Sequence, residues 1–376
     1  MTEFREARLG DLVVSLDHVR RPVRSQDRKP GPYPYYGASG IVDSVSDFLF
    51  EGLHLLVAED GENLRTRKTP IAFLADGKFW VNNHAHVVKA NDLADTRYLA
   101  YAVEASDVSG FLTGSTQPKL TKDSLMRLRV PAPELDEQRA IASVLGALDD
   151  KIESNCRIAL NCEQLLSAIA TSVQTDAMVS LGSLAQSTRV AVDPSTFGDR
   201  SVDLFSIPAF DAWRLPERCR ASTIKSGKFS IDGRAVLVSR LNPSSPRVWL
   251  ADPAGFPAMC STEFLVLRPQ VGQRMATVWL AAISTQFADE AERRATGTSF
   301  SHQRIKPDDA LSIEVPDTRC LDESLLVEAD DCLELALRAR RESATAIQLR
   351  DALLPELLSG RLRVWDAEKV VESNYV

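Results

Sequence analysis

The sequence predicts an α+β protein: two mixed α/β globules joined by two long helices that pack antiparallel as coiled-coil spacers, with a pseudo-two-fold internal repeat. Three observations predict it. First, residues 111–131, FLTGSTQPKLTKDSLMRLRVP, are echoed by residues 294–316, RATGTSFSHQRIKPDDALSIEVP. Lys119-Leu120 answers Arg304-Ile305, Asp123 answers Asp308, and Leu128 to Pro131 answers Ile313 to Pro316. Second, two stretches carry apolar residues at helical steps of three and four. Third, the acidic excess of the chain lies in those two stretches alone. A repeat governs the reading, because each copy is one structural unit.

The first globule, 1–133, opens with Leu9-Gly10-Asp11-Leu12, matched later by Leu181-Gly182-Ser183-Leu184. Its short apolar runs GLHLLVAED, PIAFLA and KFWVNN are set off by Gly, Pro and Asn and read as strands. A helix is expected around Arg97 to Ala105, followed by the TGST loop and a strand ending at Val130-Pro131. The central spacer helix, 134–176, begins just after Pro131 and Pro133. Its stripe runs Ile141, Leu145, Leu148, Ile152, Asn155, Ala159, Cys162, Leu166, Ile169, Val173. That is a coiled-coil seam over roughly 33 residues, about 50 Å of helix. Asn155 either fixes register inside the seam or faces solvent.

The second globule, 177–317, shows VDLFSI, RAVLVSR, PRVWLA and TEFLVLRP as strands, then a helix from about Thr277 to Arg293 and the TGTS loop. The second spacer, 318–360, carries Leu333, Leu337, Ala344, Ile347, Leu354 and Leu358 on one stripe, interrupted by Arg340 and Asp351. Pro355 is expected to bend or end it. Residues 361–376 form a tail.

Length and composition bound the function. A chain of 376 residues with 44% hydrophobic and 26% charged content can bury two or three cores. The start has no apolar run of signal-peptide length, and no stretch reaches the roughly 18 apolar residues a bilayer needs; the expected location is the cytoplasm. Six cysteines without a CxxC pair argue against a disulfide framework or zinc ribbon, and are expected to be reduced and mostly buried. The net charge of −8 argues against nucleic acid only until it is divided. Residues 1–133 hold 17 basic and 17 acidic groups, and 177–317 hold 16 and 15, whereas the spacers hold 3 against 8 and 8 against 12. Local charge sets the field that a phosphate meets.

The segments PYPYYGASGIVDSV (32–45), LLVAEDGENL (55–64), KFWVNNHAHVVK (78–89), GSTQPKLT (114–121), PAPELDEQRAIASVLGALDDKIE (131–153) and LLPELLSGRLRV (353–364) resemble specificity subunits of type I restriction-modification systems. The likeness covers nearly the whole chain in architecture, although the second globule matches mainly through its terminal loop, strand and following helix. It implies a non-catalytic subunit with two target recognition domains. Each would read one half of a split, asymmetric DNA target, while the spacers set the gap and dock two methyltransferase subunits. It further implies a restriction and translocase subunit as partner, with S-adenosylmethionine on the methyltransferase and ATP and Mg²⁺ on the restriction subunit. Two globules at a fixed separation suit half-sites about 34 to 36 Å apart.

Candidate DNA-contacting residues follow from charge and from loop chemistry. Arg20, Arg21, Arg24, Arg28 and Lys29 form a basic arm; Arg220, Lys225, Lys228, Arg240 and Arg247 make its counterpart, with Asn242 beside Arg240. Tyr36 and Ser39 stand in the PYPYYGASG segment, where a DNA-facing surface and an aromatic turn packed into the core are both open. The better candidates are the repeated loops, Thr113, Ser115, Thr116, Gln117 and Lys119 against Thr296, Thr298, Ser299, Gln303 and Arg304. Gly allows close backbone approach, hydroxyls and amides donate to phosphates or base edges, and the cation adds charge.

Enzyme readings find little support. His84 and His86 could face one way on a strand, but no carboxylate or cysteine completes a metal set in sequence. Glu59-Asp60 with Lys68 lacks the fuller arrangement that metal-dependent cleavage needs. No GxxxxGK[ST] loop is present for ATP, and Asn242-Pro243-Ser244-Ser245 only echoes an amino-methyltransferase motif. The alternatives left open are an interaction scaffold that does not read DNA, a modification-only component of a defence complex, and an enzyme with an unfamiliar site.

Overall fold

The computed structural model describes all residues except 1–3, 115, 174, 176, 254, 298–302 and 376. The chain divides into two compact units, one of residues 1–151 with 346–376 and the other of 152–345. Each takes in part of both long helices.

In the first unit, Glu6–Arg8 pairs antiparallel with Arg129–Pro131, and the turn of helix Leu9–Leu12 follows. A four-stranded sheet then runs Val13–Ser15, Ala85–Ala90, His54–Ala58, Ala72–Ala75 in spatial order. All five residues of the central His54–Ala58 strand are buried. Its apolar run therefore reads as a two-sided core strand. Helix Thr96–Ala105 covers this sheet; the Asp95 carboxylate accepts from the backbone amides of Arg97 and Tyr98 and so fixes where the helix begins. A second sheet of four strands contains Tyr33–Gly37 beside Lys78–Val81 in parallel.

The second unit repeats the first of these sheets strand for strand: Ala185–Thr188, Phe264–Pro269, Ala235–Ser239, Val248–Ala251. Registers agree as well, with Leu55 opposite Val88 and Val236 opposite Leu267. Met178–Ser180 pairs with Glu314–Pro316 as Glu6–Arg8 does with Arg129–Pro131. The Leu9 amide donates to the Leu128 carbonyl at 2.8 Å, and the Leu181 amide donates to that of Ile313 at 2.9 Å. The internal repeat is thus structural. The remaining sheet of the second unit again holds a parallel pair, between Ser201–Phe205 and Ala258–Cys260, but departs from its counterpart in having five strands.

The single helix expected over 277–293 is two, Met275–Ala282 and Thr285–Arg294. The Ser284 hydroxyl accepts from the Phe287 amide and starts the second helix, so a capping residue inside a periodic stretch marks the break.

The first long helix spans Leu135–Ser172 and the second Glu323–Leu358. They run antiparallel in both units. In the first, Arg350 meets Asp149 at 2.9 Å; in the second, Ala159 and Cys162 pack with Ala336 and Ala339. Asn155 is buried, its amide donating to Glu342 at 3.4 Å, so it lies inside the seam. Ile141, Leu145, Leu148, Leu166 and Ile169 are buried as expected, whereas Ile152 is half-buried. On the second helix Leu333 and Leu337 are buried, but beyond them the stripe shifts. Ala346 and Leu353 take the buried places while Ile347 and Leu354 are half-buried. A straight helix drifts against a strict seven-residue repeat, so a stripe extrapolated over five turns slips by a residue. Pro355 lies inside the helix, which continues to Leu358 and ends before Gly360 at φ 72°.

Of the six cysteines, all free, only Cys162 and Cys260 are buried; Cys156 and Cys320 are exposed. The expectation of mostly buried thiols therefore fails. No described helix is long and apolar enough to cross a membrane.

Candidate nucleic-acid interface

The repeated loops are closed at their base in the same way. Leu112–Thr113 pairs with Lys119–Leu120, and Thr296 exchanges both backbone hydrogen bonds with Arg304 at 2.9 Å. In each, the threonine hydroxyl donates to the cation's carbonyl, Thr113 to Lys119 at 3.1 Å and Thr296 to Arg304 at 3.4 Å. Gly114 adopts φ 84°, and a Cβ there would fall 2.3 Å from the Gln117 carbonyl oxygen. Only glycine closes this turn.

Each loop is fastened to the end of the central strand of its sheet. The Leu120 amide donates to the Glu59 carbonyl at 2.8 Å, and the Ile305 amide to that of Arg240 at 3.1 Å. Two residues further out, Gly61 donates to Pro118 at 3.1 Å and Asn242 to Gln303 at 2.9 Å, both from positive φ. Asn242 therefore holds a left-handed turn position that asparagine tolerates better than most residues.

The loop cations project from this frame onto carboxylates. Lys119 lies 2.9 Å from Glu59, and Arg304 lies 3.0 Å from Glu263. Hydrogen bonding to Glu59 raises the Lys119 ammonium above its ordinary value, and Glu263 does the same for Arg304. Thr116 and Gln117 are exposed, while Gln303 is half-buried. Ser115, Thr298 and Ser299 lie outside the described residues.

Beneath Lys119 is a charged cluster. Arg20 reaches Glu59 and the Ala85 carbonyl, each at 2.7 Å, and Asp17 at 3.3 Å. His86 Nδ1 lies 2.7 Å from Asp17, and its Nε2 lies 2.8 Å from the Leu120 carbonyl oxygen. Burial alone would raise both carboxyls. Hydrogen bonds from His86 and the Val87 amide hold Asp17 below its usual value, and those from Arg20 and Lys119 hold Glu59 below its own. Asp17, Glu59 and His86 bring ligand-type atoms within 4.8 Å of one another. Sequence reasoning missed this grouping because its members are far apart in the chain. Arg20 and Lys119 already supply its positive charge. His84, by contrast, faces Asp60 at 2.8 Å and is half-exposed, so the two histidines take different partners.

Arg20 is therefore mostly covered and engaged within its own unit. Arg21, Arg24 and Lys29 are exposed. Arg28 pairs with Asp43 at 2.9 Å and lies over the Tyr35 ring. Tyr36 is half-buried and packs on Phe73 and Phe79 against the core cluster, while Ser39 stands exposed in its turn.

In the second unit Arg220 and Lys225 are exposed. Lys228 is buried, its ammonium donating to the Ser226 carbonyl at 2.9 Å at the edge of a cleft of about 380 Å³. Arg247 is taken up by a two-pronged pair with Asp211 at 2.6 and 3.0 Å. Arg240 is largely covered and faces Glu263 at 3.7 Å. In these three the basic cluster of the sequence is engaged by burial or by a carboxylate of the same unit. Sequence reasoning also passed over Arg65, whose guanidinium donates to the Gly114 carbonyl at 3.1 Å and stands beside the first loop.

The fold that carries these sites is similar to that in a crystal structure of a type I restriction-modification system S subunit from M. genitalium, with a TM-score of 0.67, covering 94% of this chain and 96% of that one at 15% identity. Residues 1–161 match the family described as the type I restriction modification DNA specificity domain. A Haemophilus influenzae protein named as a type I restriction enzyme specificity subunit is 37% identical over 140 residues, 37% of this chain and 36% of that one. The EcoprrI specificity subunit of Escherichia coli is 26% identical over 150 residues, 39% of this chain and 34% of that one. The matched segments thus span about a third of the length of these relatives.

Proposed function

We propose that this chain is the DNA sequence-specificity subunit of a type I restriction-modification complex. Residues 1–133 and 177–317 act as target recognition domains, each reading one half of a split asymmetric target. The spacers 134–176 and 318–360 set the gap and dock methyltransferase subunits, and a restriction subunit completes the assembly. Chemistry resides on those partners, with S-adenosylmethionine, ATP and Mg²⁺, and this chain is non-catalytic.

The observation that carries the reading is the duplicated hairpin. Two sheets of one topology each present a glycine-containing, hydroxyl-bearing loop with one half-exposed cation at the same point. Around this shared frame the second sheets differ, four strands against five. Similar frames with dissimilar surroundings suit recognition of two unlike half-sites. The Tyr101 hydroxyl donates to Asp149, itself paired with Arg350, tying the first recognition domain to its own portion of both spacers.

The test is to co-express the chain with a methyltransferase subunit encoded beside it and map methylated bases across the host genome. Methylation confined to one split asymmetric motif, and lost when this chain is deleted, is the expected result. Methylation that persists unchanged without it would refute the proposal.

A further inference from the structure

We propose that Glu59 and Glu263 are specificity-determining residues that hold each hairpin's cation back from indiscriminate phosphate contact, an inference that rests on the DNA-reading function above. In both units the cation is exposed and the carboxylate is not. Side-chain exposure is 49% for Lys119 against 12% for Glu59, and 43% for Arg304 against 23% for Glu263. A phosphate that captures the cation must therefore strip a mostly buried carboxylate of its partner. Such a carboxylate regains little hydration, and losing one of its cations, Arg20 remaining on Glu59 and Arg240 facing Glu263, costs free energy.

The pairing is not a by-product of copied residues. Glu59 follows strand His54–Ala58, whereas Glu263 precedes strand Phe264–Pro269. At the place corresponding to Glu59 the second unit carries Arg240, which itself faces Glu263 at 3.7 Å. The carboxylate thus arrives from a different strand in each unit and still meets the same cation. As stabilisers, exposed ion pairs contribute little, with a median of about 0 to 1 kcal/mol. As discriminators they act on the unwanted partner, since a contact to one phosphate cannot offset the loss while a full set of target contacts can. The latch therefore lowers affinity for arbitrary DNA more than for the target.

The experiment uses the full-length chain, a fluorescent duplex of random sequence and a sodium chloride titration. Each cation released to a phosphate steepens the slope of log affinity against log salt by about 0.9, and raises affinity up to roughly eightfold at 0.1 M salt. Glu263→Gln is expected to do both, and Glu263→Gln with Arg304→Gln to return the slope to the wild-type value, which a merely structural role would not do. Glu59→Gln should act likewise. Because Glu59 also binds Arg20, its thermal melt is followed in parallel, and Glu263→Gln decides the matter if that fold is weakened. Wild-type binding with a steep salt slope that Glu263→Gln leaves unchanged would overturn the latch alone. Wild-type protein with no salt-dependent binding to any duplex would remove the DNA-reading function and the latch with it.

Discussion

Gly10 rests against the Met126 carbonyl oxygen so closely that a Cβ on it would lie 3.0 Å from that atom. Gly182 stands in the corresponding place, where a Cβ would lie 3.3 Å from the Leu311 carbonyl oxygen. The Leu-Gly-x-Leu turn therefore docks on the short helix before the Val-Pro strand in each unit. Gly10→Val is expected to destabilise its unit by about 1 to 3 kcal/mol through overpacking against backbone, and Gly182→Ala by less. Urea unfolding of both variants checks the order; equal effects would contradict it.

Arg340 is largely buried against Glu163, and desolvation lowers its guanidinium below the ordinary value. Arg340→Ala should cost about 1 to 3 kcal/mol, because it removes one of the two cations on Glu163 and leaves that carboxylate to Arg214, while a double change of Arg340 and Glu163 to Leu should recover part of the loss. A double-mutant cycle by chemical denaturation measures the difference. A double variant as unstable as Arg340→Ala would disprove the argument.

Arg20 and Arg24 separate fold from binding. Arg20→Ala should lower the melting temperature, since its guanidinium joins Asp17, Glu59 and the Ala85 carbonyl. Arg24→Ala and Lys29→Ala, both exposed, should leave melting unchanged and flatten the salt slope of DNA binding by at most about 0.9 each. The reverse pattern would mean that the basic arm had been misassigned.

Acid should weaken the first unit through Asp17 and Glu59. Both are held below their ordinary values when folded, so their contribution is complete above the usual carboxylate range near about 4 and disappears as pH falls through the lowered folded values. Melting followed from pH 7 down to pH 3 should show this loss, and Asp17→Asn should shallow it. An unchanged acid slope in Asp17→Asn would exclude Asp17 as a source.

The spacer proposal predicts that equal helical insertions in both long helices widen the gap between the halves of the methylated motif. Methylome mapping of such variants reads the gap directly. A constant gap would disprove the ruler.

The sequence by itself determined the repeat, the helical spacers and the loop positions. Those signals are local or periodic: a glycine that a turn requires, an apolar step of three and four, a Val-Pro strand end. It also placed the loop cations, because Lys119 and Arg304 sit at matching offsets. Only tertiary structure decided which charges remain available. Arg20, Arg28 and Arg247 look alike in sequence to Arg21 and Arg24, yet their partners Glu59, Asp43 and Asp211 lie 39, 15 and 36 residues away. A side chain's availability depends on which neighbours folding brings to it. The break at Ser284 and the shifted stripe near Leu353 escaped for the same reason: a capping hydroxyl and a slow helical drift alter packing while leaving the apolar pattern almost untouched.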